Sequence, residues 1–181
     1  MPPEDDRAPQ ALHRLFFALR PDEGVCKKLE GVVAGLRQHT HGRWVARENF
    51  HITLAFLGSV AGNRLNCLFD LEPSSEYPFA LALENIAYQR RRKLIWIAPR
   101  STPVPLERLV EALKSSLTVG GFLIDARPFR AHLTLGRNVQ GECATESCSA
   151  PINWTIHSYC LVESKLDSCG ARYSTLKTWF L

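Results

Sequence analysis

The string His51-Ile52-Thr53-Leu54 returns 81 positions later as His132-Leu133-Thr134-Leu135. In an extended strand alternate side chains share a face, so each His lies beside the Thr two places on, while Ile52 and Leu54, or Leu133 and Leu135, face the other way. Each copy therefore reads as a strand with one chemically equipped face and one apolar face that must pack into a core. Imidazole titrates near 6.5, roughly at neutral pH, so a matched pair can supply one neutral base and one protonated acid. A threonine hydroxyl beside each can donate a hydrogen bond to an oxyanion.

The contexts of the two strings also match. Leu15 to Leu19 reads as a buried strand, stopped by Arg20-Pro21-Asp22. Val25, Leu29, Val32, Val33 and Leu36 then recur at helical spacing. Arg43-Trp44-Val45 leads into the first string, on a strand Phe50 to Leu57 that ends at Gly58, and a short helix follows around Asn63 to Leu71, closed by Pro73-Ser74-Ser75. Phe79 to Ile86 and Lys93 to Ala98 read as a hairpin joined by Gln89-Arg90-Arg91-Arg92. A second helix carries Leu106, Leu109, Val110, Leu113 and Leu117 on one face, between Thr102-Pro103 and Gly120-Gly121. The second string follows on a strand Ala131 to Gly136, then an exposed loop Asn138 to Pro151, then strands Thr155 to Glu163 and Tyr173 to Phe180 around a Gly170 turn. This order is a degenerate duplication. It predicts an α+β fold of two pseudo-symmetric lobes, each an antiparallel sheet with helices on its outer face, with the active-site cleft between them.

Residues 1–13 are polar, proline-bearing and acidic and read as a disordered tail; residues 14–181 read as a single bilobal domain. With no apolar signal core and no long apolar span, neither export nor a membrane segment is expected, and the chain is placed in the cytoplasm. The six cysteines (Cys26, Cys67, Cys143, Cys148, Cys160 and Cys169) contain no C-x-x-C spacing and are expected to be reduced thiols. Neither a metal nor another cofactor is expected: Glu48 is the nearest carboxylate to His51 in the chain, and the Cys143 and Cys148 pair has no nearby His. No cysteine lies on either His-bearing strand to make a Cys-His nucleophile. His13, His39, His41 and His157 lack the Thr partner and read as bystanders. A net charge of +4 permits a phosphate-bearing ligand without demanding a nucleic acid.

The flanking residues narrow the choice. Arg14-Leu15-Phe16-Phe17-Ala18, Arg43-Trp44-Val45, Glu48-Asn49-Phe50 before the first string, Arg127-Pro128-Phe129-Arg130-Ala131 before the second, Gly136-Arg137 after it, and Leu161-Val162-Glu163-Ser164 resemble the two-histidine phosphoesterases. Within them the chain is similar to the RNA 2',3'-cyclic phosphodiesterases, historically called 2'-5' RNA ligases. The resemblance runs from Arg14 to Leu181, departing in Phe50, where an aliphatic residue is commoner, and in the cysteine-bearing stretch Gly141 to Ser149. It implies metal-free hydrolysis of RNA 2',3'-cyclic phosphate termini to 2'-phosphate, with His51 and His132 catalytic and Thr53, Thr134 and Arg137 binding phosphate. It also implies reverse 2'-5' ligation, tRNA fragments among the substrates, and a monomer. By the same resemblance His51 protonates the departing 3' oxygen and His132 activates water; the duplicated pattern by itself leaves that direction open.

Arg137 lies three residues past Thr134, so strict alternation places it on the opposite face unless the strand ends or bends at Gly136. Phe16 or Phe17 could stack on the terminal base or pack in the core, and Trp44 and Tyr173 carry the same two readings. The run Arg90 to Lys93 could track an RNA backbone or be a solvated hairpin tip. Two other functions fit the same residues: a nucleotide- or RNA-binding module that keeps the cleft with little turnover, and a phosphodiesterase for 2'-5' oligonucleotides or small cyclic nucleotides.

Overall fold

Both helices that carry a regular apolar stripe pack on one side of a long antiparallel sheet. The computed structural model describes residues 11–72, 76–141, 146–167 and 170–181. In chain order the elements are β1 (Leu12–Leu19), α1 (Glu23–Leu36), β2 (Thr40–Trp44), β3 (Ile52–Ala61), α2 (Leu65–Phe69), β4 (Phe79–Gln89), β5 (Leu94–Ala98), α3 (Val104–Val119), β6 (Leu133–Gly141), β7 (Glu146–Ile156), β8 (Ser158–Asp167) and β9 (Gly170–Phe180). Helix α1 starts where the Asp22 carboxylate accepts the Val25 N–H at 2.9 Å, and it buries Val25, Cys26, Leu29 and Val33. Helix α3 has Pro105 in its first turn, where no N–H is missed, and buries Leu106, Leu109, Val110, Leu113 and Leu117. Leu109 is 1% exposed, so truncating it to Ala costs about 2–5 kcal/mol.

The strands run in the order β7-β4-β5-β6-β3-β1-β8-β9, with β2 paired to β6 off this path. The centre of the order is a narrow junction. Strands β3 and β6 pair through Ile52 and Leu133 alone and then run apart in opposite directions. Strand β2 takes over the edge of β6 that β3 has left, pairing Trp44 with Gly136 and Arg43 with Arg137. Alternation along β1 divides the two sides of the sheet. Leu15, Phe17 and Leu19 enter the main core with α1 and α3, while Phe16 and Ala18 join Cys160 and Val162 in a small cluster on the other face, against Tyr173.

The expected α+β class holds, and both helices lie where the apolar spacing puts them. Several boundaries differ: β3 runs through Gly58 to Ala61 and β4 runs on to Gln89. Most of the expected loop Asn138 to Pro151 is paired strand: β6 reaches Gly141 against β2, and β7 starts at Glu146 against β4. Its few apolar residues reflect the exposure of Asn138, Gln140, Gly141, Ala150 and Pro151, which polarity alone does not separate from a loop. The single expected strand Thr155 to Glu163 is broken at His157 into the end of β7 and the start of β8. Strand β1 begins at Leu12, opposite Ala61, so Leu12 and His13 belong to the sheet and not to the N-terminal tail. Residues 1–10 of that tail, and Pro73-Ser74-Ser75, Cys143 and Cys169, lie outside the described residues. Cys26, Cys67, Cys148 and Cys160 are free thiols.

Candidate active site

The single β3–β6 pair builds the site. Because Ile52 opposes Leu133 in antiparallel register, the same register sets His51 against Thr134 and Thr53 against His132. The side chains of those four residues share the face opposite to Ile52 and Leu133. They form a square whose diagonals are His–His and Thr–Thr. Directly opposed residues stand about 5 Å apart and diagonal ones about 7–8 Å, a spacing that admits one tetrahedral phosphate between the two imidazoles. Ile52 and Leu133 are fully buried on the other face and fix this register, since a slip by one residue would turn both into the site.

The two imidazoles are held in the same way. His51 Nδ1 donates to the Asn49 carbonyl at 2.7 Å and His132 Nδ1 donates to the Arg130 carbonyl at 2.8 Å, each from two residues upstream. A carbonyl can only accept, so in both neutral rings the proton sits on Nδ1 and Nε2 is free for chemistry. The Asn49 carbonyl is itself fixed, because the Asn49 side chain donates to the Ala171 carbonyl on β9 at 3.0 Å. Arg20 reaches the same turn, donating to the Glu48 carbonyl and to Thr175 Oγ1.

The surroundings of the rings differ. His51 is half-buried, with the Phe16 ring 5.0 Å from it and the Tyr173 ring edge-on at 5.2 Å. Loss of water lowers its pKa below 6.5, and the positive charges of Arg20, Arg137 and His132 lower it further, against the pull of the Asn49 carbonyl. His132 is exposed, with the Trp96 ring edge-on at 6.3 Å.

Two recesses open on either side of the square. One, of about 170 Å³, is lined by His51, Thr134, Arg137, Arg43, Trp44 and Tyr173 among others. The other, of about 470 Å³, is lined by His132, Trp96, Arg92, Arg100 and Arg130 with their neighbours. Arg137 thus stands on the same face as Thr134. The cause is a bulge: β5 pairs Ile95 with Gly136 but Trp96 with Thr134, so Leu135 is an extra residue on β6 and the alternation is reset before Arg137. Gly136 is required beside it, since a Cβ there would lie 2.9 Å from Val139 Cγ2, 3.0 Å from Trp44 Cε3 and 3.1 Å from Ile95 Cγ2.

Thr53 is half-buried opposite Ala18 and borders neither recess. Phe17 is fully buried against Tyr159 and Trp179 in the main core, so it is not available to stack on a base. Phe16 is 4% exposed and its neighbours are His51 and Tyr173; it supports the imidazole from below and offers no open face to a base. The aromatic rings that do line the recesses are Trp44, Tyr173 and Trp96. Trp96 escaped the sequence reading; alternation with buried Ile95 and Ile97 marks it only as facing away from the core. Two residues of the flanking segments serve the scaffold. Arg127 is bonded to Asp125, holding that carboxyl down at about 2, and Glu163 is buried against His13 Nδ1 at 2.7 Å and Lys165 at 3.2 Å. Among the described residues no three His, Cys, Asp or Glu gather as metal ligands, and no helix is long and apolar enough to cross a membrane.

Comparison with known proteins identifies the family. The family of LigT-like phosphoesterases matches residues 19–96, which include β3 and the first histidine. The RNA 2',3'-cyclic phosphodiesterase of Escherichia coli is 31% identical over 174 residues, 93% of this chain and 96% of its own. The RNA 2',3'-cyclic phosphodiesterase of Archaeoglobus fulgidus is 31% identical over 128 residues, 68% of this chain and 72% of its own. The crystal structure of E. coli LigT complexed with 3'-AMP matches with a TM-score of 0.84 at 28% identity, over 94% of this chain and 99% of that one. The chain belongs to the LigT-like phosphoesterase family. Both of these curated relatives carry the name RNA 2',3'-cyclic phosphodiesterase.

Proposed function

We propose that the protein hydrolyses the 2',3'-cyclic phosphate at the end of an RNA to a 2'-phosphate without a metal, using His51 and His132 as the acid and base. The observation that carries this reading is the matched anchoring of both Nδ1 atoms, which leaves both Nε2 atoms free, on two strands that pair at the residues next to the histidines, Ile52 and Leu133. Water attacks phosphorus as its proton passes to His132 Nε2. The bond from phosphorus to the 3' oxygen breaks, and that oxygen takes a proton from His51 Nε2, giving a 2'-phosphate and a 3'-hydroxyl. Each proton transfer is worth roughly 10² to 10⁴ in rate. Thr134 and Thr53 donate to the non-bridging oxygens as charge builds on them, and Arg137 holds the same charge with its planar fork.

The lowered pKa of His51 fits the acid role once substrate is bound. A phosphodiester anion between the rings offsets the desolvation and the surrounding arginines, so binding and protonation of His51 are linked. A 5'-hydroxyl in the place of water would run the reaction toward a 2'-5' bond, and orientation of that second strand decides between the two outcomes. In this reading residues 12–181 act as one domain, as a monomer in the cytoplasm, on RNA ends that include tRNA fragments.

Incubation in EDTA with an oligoribonucleotide ending in a 2',3'-cyclic phosphate tests it. The 2'-phosphate product should form, and His51→Ala and His132→Ala should each lower kcat by about 10² or more. Product formation unchanged in both variants refutes the proposal. Tight binding of a 2'-phosphorylated oligonucleotide without turnover would instead make the chain a binding module. A preference for a 2'-5' oligonucleotide or a free cyclic nucleotide in a parallel panel would reassign the substrate.

A further inference from the structure

The turn that ends at Asn49 and the side chain of Arg20 make contacts that the proton transfers alone do not account for. Residues Arg47–Asn49 form a single 3-10 turn before β3, and two successive carbonyls of that turn have different partners. The Asn49 carbonyl accepts His51 Nδ1 at 2.7 Å, and the Glu48 carbonyl accepts the Arg20 guanidinium. The other arm of that guanidinium donates to Thr175 Oγ1 on β9 at 3.1 Å, and the Asn49 amide donates to the Ala171 carbonyl, also on β9, at 3.0 Å. Two side chains thus tie one short turn to one strand. That strand carries Tyr173, whose ring stands edge-on to His51 at 5.2 Å.

The turn has little of its own to hold it. Its backbone bonds are the Asn49 N–H to the Ala46 carbonyl at 2.8 Å and the Phe50 N–H to the Arg47 carbonyl at 3.1 Å, and no side chain caps its start. On the far side Arg47 reaches Glu30 at 3.1 Å and Glu23 at 3.6 Å on α1, exposed ion pairs of small worth in water. Arg20 differs because its planar fork engages two elements at once, and holding both fixes one against the other. On the His132 side the comparable contacts fall elsewhere. Lys114 donates to the Asp125 and Arg127 carbonyls at 3.3 and 3.4 Å, both upstream of the Arg130 carbonyl that holds the ring.

We infer that Arg20 is a positioning residue of the proposed reaction: by clamping the Glu48 carbonyl to Thr175 it holds the adjacent Asn49 carbonyl, and through it the His51 ring, in the orientation that aims Nε2 at the leaving oxygen. This rests on the function proposed above and adds to it a residue that touches no reacting atom. Asn49 acts in parallel through its amide, but Arg20 is the cleaner probe, because replacing it leaves every residue of the turn in place. The Arg20 charge works in the opposite direction to the clamp. Around His51 stand Arg20, Arg137 on β6 and His132, all of which lower its pKa after the larger effect of burial, with Arg43 and Tyr173 on the wall of the same recess and Glu48 on the adjoining one. Removing the Arg20 charge raises the pKa of His51 and leaves more of it protonated near neutral pH. That change adds to the fraction of working acid, so a fall in kcat on removing Arg20 reads orientation and not charge.

Arg20→Gln, Thr175→Val and the double variant test the clamp, with Arg47→Ala as the control on the opposite side of the turn. On an oligoribonucleotide ending in a 2',3'-cyclic phosphate, Arg20→Gln should lower kcat by about 10- to 100-fold and leave KM within about twofold. Thr175→Val, which keeps the strand and the Arg20 charge, should lower kcat by about three- to tenfold, as for one lost hydrogen bond. The double variant should be as slow as Arg20→Gln alone, since the two side chains act as one unit. Arg47→Ala should match the unmodified chain. In the free proteins, nitrogen-15 NMR above the pKa should find the His51 proton on Nδ1 in the unmodified chain and shared between both ring nitrogens in Arg20→Gln. Unchanged kcat or an unchanged tautomer in Arg20→Gln, a loss confined to KM, additive losses in the double variant, or an equal loss in Arg47→Ala would each overturn the inference. Thr175 is exposed, so its replacement decides alone if Arg20→Gln does not fold: kcat equal to that of the unmodified chain refutes the clamp. A chain whose His51 tautomer depends on Arg20 but which hydrolyses no cyclic phosphate would refute the proposed reaction and leave the clamp standing.

Discussion

Substituting Ala for Gly136 introduces a single methyl group against Trp44, which lines the recess beside His51, and its effect follows from three distances. The new Cβ would stand 2.9 Å from Val139 Cγ2, 3.0 Å from Trp44 Cε3 and 3.1 Å from Ile95 Cγ2. Val139 and Ile95 are fully buried and β-branched, so neither can turn away, whereas Trp44, half-buried at the end of β2 and lining the recess beside His51, is the neighbour that can give. Overpacking of this kind costs about 1–3 kcal/mol. For a chain of this length each kcal/mol moves the melting temperature by about 2–4 °C, so a fall of roughly 2–12 °C is expected. The movable element is Trp44, and its displacement shifts the wall facing His51 and Arg137, so kcat/KM should fall as well. The same substitution at Gly31, exposed in the middle of α1 with nothing within 4 Å of the added Cβ, should act in the opposite sense. It should stabilise by about 0.4–1 kcal/mol through the unfolded chain and raise the melting temperature by roughly 1–4 °C without touching activity. Calorimetry of both variants with a cyclic phosphate assay decides the matter. A Gly136→Ala protein that melts with the unmodified chain would refute the packing argument.

Two further outcomes are expected. The ring protons of His51, followed by NMR, should titrate below 6.5 in the free protein and higher when inorganic phosphate is added, because the anion opposes the lowering by burial and the nearby cations. Since the folded pKa is the lower one, the folded state loses stability as pH falls from about 6.5 through that value, with no contribution from this group above it. A midpoint at or above 6.5 without phosphate would contradict this electrostatic account. Thr134→Val, which keeps the shape and removes the hydroxyl, should lower kcat by about 10² to 10³ while leaving the melting temperature nearly unchanged; unchanged kcat would remove Thr134 from the reaction.

Much of this site was legible from alternation. His and Thr two apart fix a common face, apolar partners fix the buried side, and the repeated context says that two such strands belong together. Alternation failed where the backbone departs from regular pleating. Arg137 reaches the site through a bulge at Leu135, and a bulge leaves no mark in the order of residue types beyond the neighbouring Gly136. Phe16 and Phe17 are adjacent and equally apolar, so periodicity alone could not tell which lies beneath His51; the pairing of β1 with β8 does. Strand β2 was missed because Thr40-His41-Gly42-Arg43 buries Thr40 alone, and an edge strand with so little to bury has no hydrophobic pattern. For Trp96, alternation with Ile95 and Ile97 shows only that it faces away from the core, not that it stands beside His132. Its role depends on a three-dimensional junction, that of β5 with β6, which no local spacing shows.

A crystal structure of the complex with a nucleoside 2'-phosphate tests the central claim most directly. The account predicts the phosphate between the two rings, with its oxygens within hydrogen-bond reach of Nε2 of both His51 and His132 and of the Thr134 hydroxyl. A phosphate bound outside the square, or bonded to one imidazole while the other turns away from it, would contradict the account.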